Sequence, residues 1–337
     1  MTERAFPWPA GAATGIGSLP GVDVAEAQRI VLGELPALPH LPELPARGPG
    51  ADLLGRGAGL LVELPVELYA ARWRVVARPG RDLRRTRDLL DRDLDQMTEQ
   101  ADGYAGTFKI QAAGPFTLAA GLDLPGGGRL LRDQGALRDL TGSLAEGLRG
   151  HVAEVRRRLP AATVLLQLDE PSLPAVLAGR IPTDSGLGAY RPVPAPDARS
   201  LLRAVVEAVG VPVVVHCCAP DVPLELIRSA GAVAVALDLD LVERLDPLGE
   251  AIDAGLGLLA GAAPSTGQAP PGGAGPWSVA VADRVRVLWD RLGFPRARLA
   301  EQVVLTPACG LAGATPDYAR AVLTACRDAA RRLHEDG

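Results

Sequence analysis

Pro212-Val213-Val214-Val215-His216-Cys217-Cys218 is a short apolar run that ends on an imidazole and two thiols. Three consecutive valines favour an extended strand, because β-branched side chains fit a pleated surface. Side chains on a strand alternate faces, so His216 and Cys218 share one face and Cys217 takes the other. Two later runs end in the same manner. Ala232-Val233-Ala234-Val235-Ala236-Leu237 closes on Asp238, and Gln302-Val303-Val304-Leu305-Thr306-Pro307-Ala308 leads into Cys309. Each of these polar residues stands at the C-terminal end of a separate predicted strand.

Working outward, similar runs recur along the chain. Strands are predicted over 13–18, 59–64, 107–113, 163–169, 211–217, 232–238, 255–262 and 302–306. Helical spacing fills the intervals at roughly 23–34, 84–103, 131–158, 197–209, 222–230, 245–254, 277–293 and 315–334. A strand followed by a helix, repeated in this way, predicts an α/β fold of one domain over 1–337, a single (β/α)8 TIM barrel. A doubly wound open sheet would usually carry fewer strands and a glycine-rich phosphate turn after the first, which is missing here. Long connections rich in proline and glycine occur at 35–53 and 263–276. The second leaves the seventh predicted strand and is placed to act as a lid or as a plain insertion.

Composition narrows the function. The 47% apolar content supports a large core, and a net charge of −5 gives no basic surface for nucleic acid. Arginines concentrate in helix-like stretches such as 81–92, which read as solvated faces. Lys109 is the only lysine, read here as a bias toward arginine. No stretch reaches the ~18 apolar residues of a membrane span, and the first residues lack the apolar core of a signal peptide. Four cysteines (217, 218, 309 and 326), two of them adjacent, suit free thiols in a reducing cytoplasm better than a disulfide framework.

A barrel enzyme builds its site at the C-terminal ends of its strands. Those ends carry Gly17-Ser18, Glu63 and Glu67, Asp169-Glu170-Pro171, His216 and Cys218, Asp238, and Cys309-Gly310. Taken singly, a buried cysteine is usually inert core and Asp169-Glu170-Pro171 is an ordinary N-cap for the next helix. Together, His216, Cys218, Asp238 and Cys309 form a donor set that suits Zn2+. Two thiolates and a carboxylate leave the site electron-rich, which favours activation of a substrate thiol over generation of a hydroxide. Cys217 and Cys326 are expected to be packing residues. Asp169 could hold a substrate ammonium, and Gly17 and Ser18 a substrate carboxylate.

Five stretches resemble the C-terminal catalytic barrel of cobalamin-independent methionine synthase, a group that shares its fold with uroporphyrinogen decarboxylase. They are Ile16-Gly17-Ser18-Leu19-Pro20, Gly114-Pro115-Phe116-Thr117-Leu118, Gln167-Leu168-Asp169-Glu170-Pro171, His216-Cys217-Cys218 and Cys309-Gly310-Leu311. The resemblance implies zinc on His216, Cys218 and Cys309, with Gly17, Ser18 and Asp169 holding the amino-acid end of homocysteine. It also implies an acidic substrate ligand after the second strand, for which Glu67 is the preferred match and Glu63 the alternative. Asp238 stands near the place of a ligating glutamate in the family.

Other positions depart from the family. Ala260-Gly261-Ala262-Ala263-Pro264-Ser265 lacks the family's proton-donating histidine. The folate-facing tryptophan has no counterpart, Ala175 replaces a folate-contacting glutamate, and the family's N-terminal folate-gripping half is not represented. The implied activity is a zinc-dependent methyltransferase that turns homocysteine into methionine, with a methylfolate or a corrinoid on a partner protein as donor. Two rivals follow from the same residues: a zinc- or thiol-binding barrel without turnover, and a uroporphyrinogen-type decarboxylase. The decarboxylase would need a basic cluster at the strand ends, where none falls.

Overall fold

The computed structural model describes residues 5–268 and 274–335. A hairpin of β1 (Val66–Tyr69) and β2 (Arg72–Val75) is antiparallel and stands apart from the main sheet. The main sheet is parallel and runs in chain order through β3 (Thr107–Ala113), β4 (Thr163–Asp169), β5 (Val213–Cys217), β6 (Ala234–Asp238), β7 (Gly257–Ala263) and β8 (Val303–Pro307). Its helices are α1 (Val24–Glu34), α2 (Leu53–Gly59), α3 (Arg81–Gln100), α4 (Pro115–Gly121), α5 (Gln134–Arg158) and α6 (Leu173–Leu177). They continue with α7 (Ala195–Val209), α8 (Leu224–Ser229), α9 (Leu245–Asp253), α10 (Ala274–Leu292), α11 (Arg296–Gln302) and α12 (Pro316–Glu335). Among the described residues no helix is long and apolar enough to cross a membrane.

Both faces of the sheet are buried, as parallel sheets require. Val214, Ala234, Ala236, Leu259 and Val304 pack with Trp8, Leu38 and Leu165 in one apolar cluster. Their neighbours Val213, Val215, Val235, Leu258 and Leu305 belong to a larger cluster shared with the helices. The strand alternation read from the sequence is therefore realised, and each buried valine or leucine contributes about 1.5–3 kcal/mol. His216 shares the face of Val214, whereas Cys217 is buried on the helical side.

The expectation of eight regular strands is met by six. Residues 59–64 are not a strand: α2, capped by the Asp52 carboxylate accepting from the Gly55 N–H at 2.9 Å, ends at Gly59, and residues 60–64 are an irregular turn leading to β1. Residues 13–18 make only isolated parallel bridges, Ala13 with Leu305 on β8 and Ser18 with Glu43. His40 forms a third bridge, with Lys109 on β3. Pro39 and Pro42 lack N–H groups, so this stretch alternates bridges with gaps and cannot sustain a ladder. That is why hydrophobic periodicity passed over it.

The remaining helices fall close to their predicted places, with arginine-rich outer faces. Exposed pairs such as Arg149–Glu146 and Arg157–Glu154 line them and, screened by solvent, add little to stability. One buried ionisable group on α5 has a larger effect. Burial, aided by the nearby Arg56, holds His151 down at about 4 from an ordinary 6.5. Between these values the unfolded chain takes up a proton that the folded chain refuses, so stability falls as pH drops from 6.5 toward 4. The stability difference between wild type and His151→Leu is expected to shift by about 2–3 kcal/mol across that window. Urea titrations at both ends measure it; a difference independent of pH would refute the assignment.

Candidate metal centre

Two strand ends converge, those of β5 and β8. The ligand atoms of His216, Cys218 and Cys309 all lie within 4.8 Å of one another, a group that could hold a metal ion. The two sulfurs are 2.8 Å apart, and neither belongs to a disulfide. His216 is 4% exposed; its Nδ1 lies 2.8 Å from Asp169 Oδ1, while its Nε2 is buried without a hydrogen-bond partner. An orphaned ring nitrogen beside two thiols is the arrangement a metal would satisfy. A histidine ligand whose second nitrogen is held by a carboxylate also fits zinc's usual outer-shell pattern.

The electrostatics favour deprotonated sulfur. The hydrogen bond from Cys218 lowers the Cys309 thiol against the effect of burial, with His216 adding to the fall. The same bond, together with burial, pushes Cys218 up. Burial opposes charge on His216, but the bond to Asp169 and the adjacent Cys309 raise it to about 9. Metal binding requires thiolates, and Cys309 is predisposed to be one. Cys217 and Cys326 are buried elsewhere, and burial lifts both to about 12.

The glycines at the rim allow close approach. A Cβ at Gly310 would stand 2.1 Å from Ser18 Oγ, and the Leu311 N–H donates to the Ser18 carbonyl at 2.8 Å. Ser18 therefore lies against the turn that carries Cys309. Gly17 is tied to the next segment, its carbonyl accepting from the Glu43 N–H at 3.1 Å. Glu170 has a different task from its neighbour Asp169. It accepts from the N–H groups of Phe116 and Thr117 at 2.9 and 2.8 Å and from the Thr117 hydroxyl at 2.8 Å. It thus caps α4, not the helix that follows it, and burial raises its carboxyl to about 7.

Three of the residues expected at the site lie apart from this cluster. Asp238 accepts from the Asp240 N–H at 2.9 Å, capping a short turn, and lines a crevice shared with Cys217. Glu67 lies on β1, where Arg74 takes its carboxylate at 2.6 and 2.8 Å. Glu63, its alternative, occupies an exposed turn at φ 55. The acidic residue that does close the second inner segment is Glu43, 6% exposed and bridged to Ser18. Burial raises its carboxyl, against the pull of Arg56 at 3.2 Å, and Asp169 adds to the rise. It stood in Pro-His-Leu-Pro-Glu, a stretch that reads as a linker.

Of the expected lid at 263–276, residues 269–273 lie outside the described residues. Where that loop begins, the Tyr318 hydroxyl donates to the carbonyls of Pro264 and Thr266 at 2.8 and 3.3 Å.

No family model and no curated protein matches the sequence. Among solved structures the chain is similar to a B12-independent methionine synthase from Shewanella sp. W3-18-1, solved in complex with selenomethionine. The TM-score is 0.62 over 97% of this chain and 99% of that one, at 13% identity. The two chains share one fold. A morphinone reductase variant with tetrahydroNAD follows at TM-score 0.39, covering 90% of this chain and 81% of its own at 13% identity. A β-mannanase from the blue mussel Mytilus edulis gives 0.30, with 81% and 98% covered at 9% identity. These two carry no functional argument.

Proposed function

We propose that this chain is a zinc-dependent methyltransferase that methylates the sulfur of homocysteine to give methionine. The observation that carries the reading is His216 Nε2, buried and unpartnered beside the two sulfurs of Cys218 and Cys309. The likeness to a methionine synthase over nearly the full length of both chains supports it. In this reading the chain is one (β/α)8 barrel over 1–337, with segments 12–19 and 39–43 serving as its first two rungs.

His216, Cys218 and Cys309 would hold the zinc, and Asp238 would supply a fourth donor by turning from its cap at Asp240. Bound there, zinc supplies thiol activation, keeping the substrate sulfur as a thiolate at neutral pH. The protein does the rest by position. Asp169 orients the imidazole, and with Glu43 it offers negative charge to the substrate ammonium. Gly17 and Ser18 receive the carboxylate end beside the Cys309 turn. Glu67, bound to Arg74 on the hairpin, is replaced in this role by Glu43. Free thiols at the centre suit a reducing, cytoplasmic setting.

The donor is a methylfolate or a corrinoid on a partner protein. Zinc-loaded protein incubated with homocysteine and, in separate arms, methyltetrahydrofolate and methylcobalamin should form methionine in at least one. Thiol uptake without methionine in any arm would instead identify a thiol-binding barrel.

A further inference from the structure

Lys109 is the single lysine among 35 lysines and arginines, and it is fully buried on β3. A buried ammonium is costly unless each of its three donors finds an acceptor. Here they do: Nζ donates to the Ile16 carbonyl at 3.0 Å, to Gln167 Oε1 at 2.8 Å and to Gln111 Oε1 at 3.4 Å.

The second of these bonds fixes more than the lysine. Because Oε1 of Gln167 is taken by a group that can only donate, the amide must present its NH2 on the other side. Gln167 Nε2 accordingly donates to Asp169 Oδ1 at 2.7 Å and to the Ile16 carbonyl at 2.8 Å. An ionised Asp169 can only accept, so the partner it meets at 2.8 Å, His216 Nδ1, must carry a proton. In the neutral imidazole, the form that binds a metal, the lone pair of His216 is then left on Nε2, the nitrogen beside the thiols. The parallel register that sets Gln111 opposite Gln167 and Asp169 opposite His216 holds the chain of bonds on adjacent strands.

We propose that Lys109 is a positioning residue whose ammonium sets the direction of the series Lys109–Gln167–Asp169–His216 and so presents His216 Nε2 to the metal. This rests on the metal-binding reading of the site. Lysine suits the task because a compact ammonium spreads three donors in different directions, whereas the planar guanidinium used at every other strong cation of the chain forms a fork. With Lys109 removed, Gln167 is free to turn over, offering Asp169 an oxygen in place of its NH2.

The test compares wild type with Lys109→Met, which keeps the length of the side chain and removes the donors, and with Gln167→Leu, which breaks the series one link on. Zinc affinity is measured by competition with a chromophoric chelator, and cobalt(II) absorption reports the ligand geometry. Both variants are expected to bind zinc about tenfold more weakly, as outer-shell changes at zinc sites do, with a changed cobalt spectrum. The urea midpoint of metal-free Lys109→Met is expected to fall modestly, because the buried oxygens of Gln167 and Gln111 lose a donor, so the cobalt spectrum, which a merely structural role would not move, carries the test. Affinity within about twofold of wild type and an unchanged cobalt spectrum in both variants would overturn the proposal. Weaker affinity with an unchanged cobalt spectrum would overturn it too, leaving Lys109 a merely structural role. If Lys109→Met is insoluble, Gln167→Leu decides by the same criteria. Wild-type protein that takes up neither zinc nor cobalt would instead remove the metal site itself, and this inference with it.

Discussion

Cys309→Ser is expected to leave the fold intact and to reduce bound zinc from about one per chain to a trace. Cys309 follows β8 on a partly exposed turn, so its side chain adds little to the core. Its sulfur nevertheless accepts the bond from Cys218, which with His216 lowers its thiol, and it brings negative charge to the cluster. A serine hydroxyl stays protonated and is a harder, weaker donor to zinc. Structural zinc in small peptides gains an apparent value of about 10–16 kcal/mol from four ligands, so losing one of the few donors here should weaken binding by at least ~10²-fold. Methyl transfer to homocysteine should disappear with the metal. The control is Cys217→Ser, between His216 and Cys218 in sequence yet buried on the helical side, which should keep its zinc. Metal analysis after purification under reducing conditions reads both. Full zinc in Cys309→Ser would dismiss the assignment of this thiol.

The three residues of the candidate metal centre were legible because they follow strong apolar runs, where alternation alone separates His216 and Cys218 from Cys217. The second inner segment was not. Its strand signal is broken by Pro39 and Pro42, so Glu43 reads in the sequence as part of a linker. Asp169-Glu170 shows another limit of local reading. Two adjacent carboxylates point to different faces, one to His216 and the other across to the start of α4, and only the register with β3 and β5 reveals the second partner. Lys109 was conspicuous as a count, but its meaning lies in Ile16, Gln111 and Gln167, which only the fold brings to it.

Asp93→Ala is expected to cost about 3–5 kcal/mol, a large share of the stability of a domain this size. Asp93 on α3 is fully buried and pairs with Arg47 at 2.7 and 2.8 Å, and with the Nη1 of Arg56. Truncation would leave both guanidiniums short of a partner inside the protein, which is more costly than never having buried them. The effect should also reach the site. Arg56 is the residue that holds Glu43, at 3.2 Å, and Glu43 is bridged through its backbone to Ser18. Without Asp93, Arg56 is freed to swing or to draw Glu43 toward itself, and the charge offered to the substrate ammonium moves with it. The expected signature is a lower urea midpoint together with a raised KM for homocysteine, while zinc content stays near wild type because no metal ligand is touched. An Asp93→Asn variant retains one acceptor and should fall between the two in both measurements. A lower midpoint with KM unchanged would confine this network to stability and leave Glu43 positioned by its backbone alone.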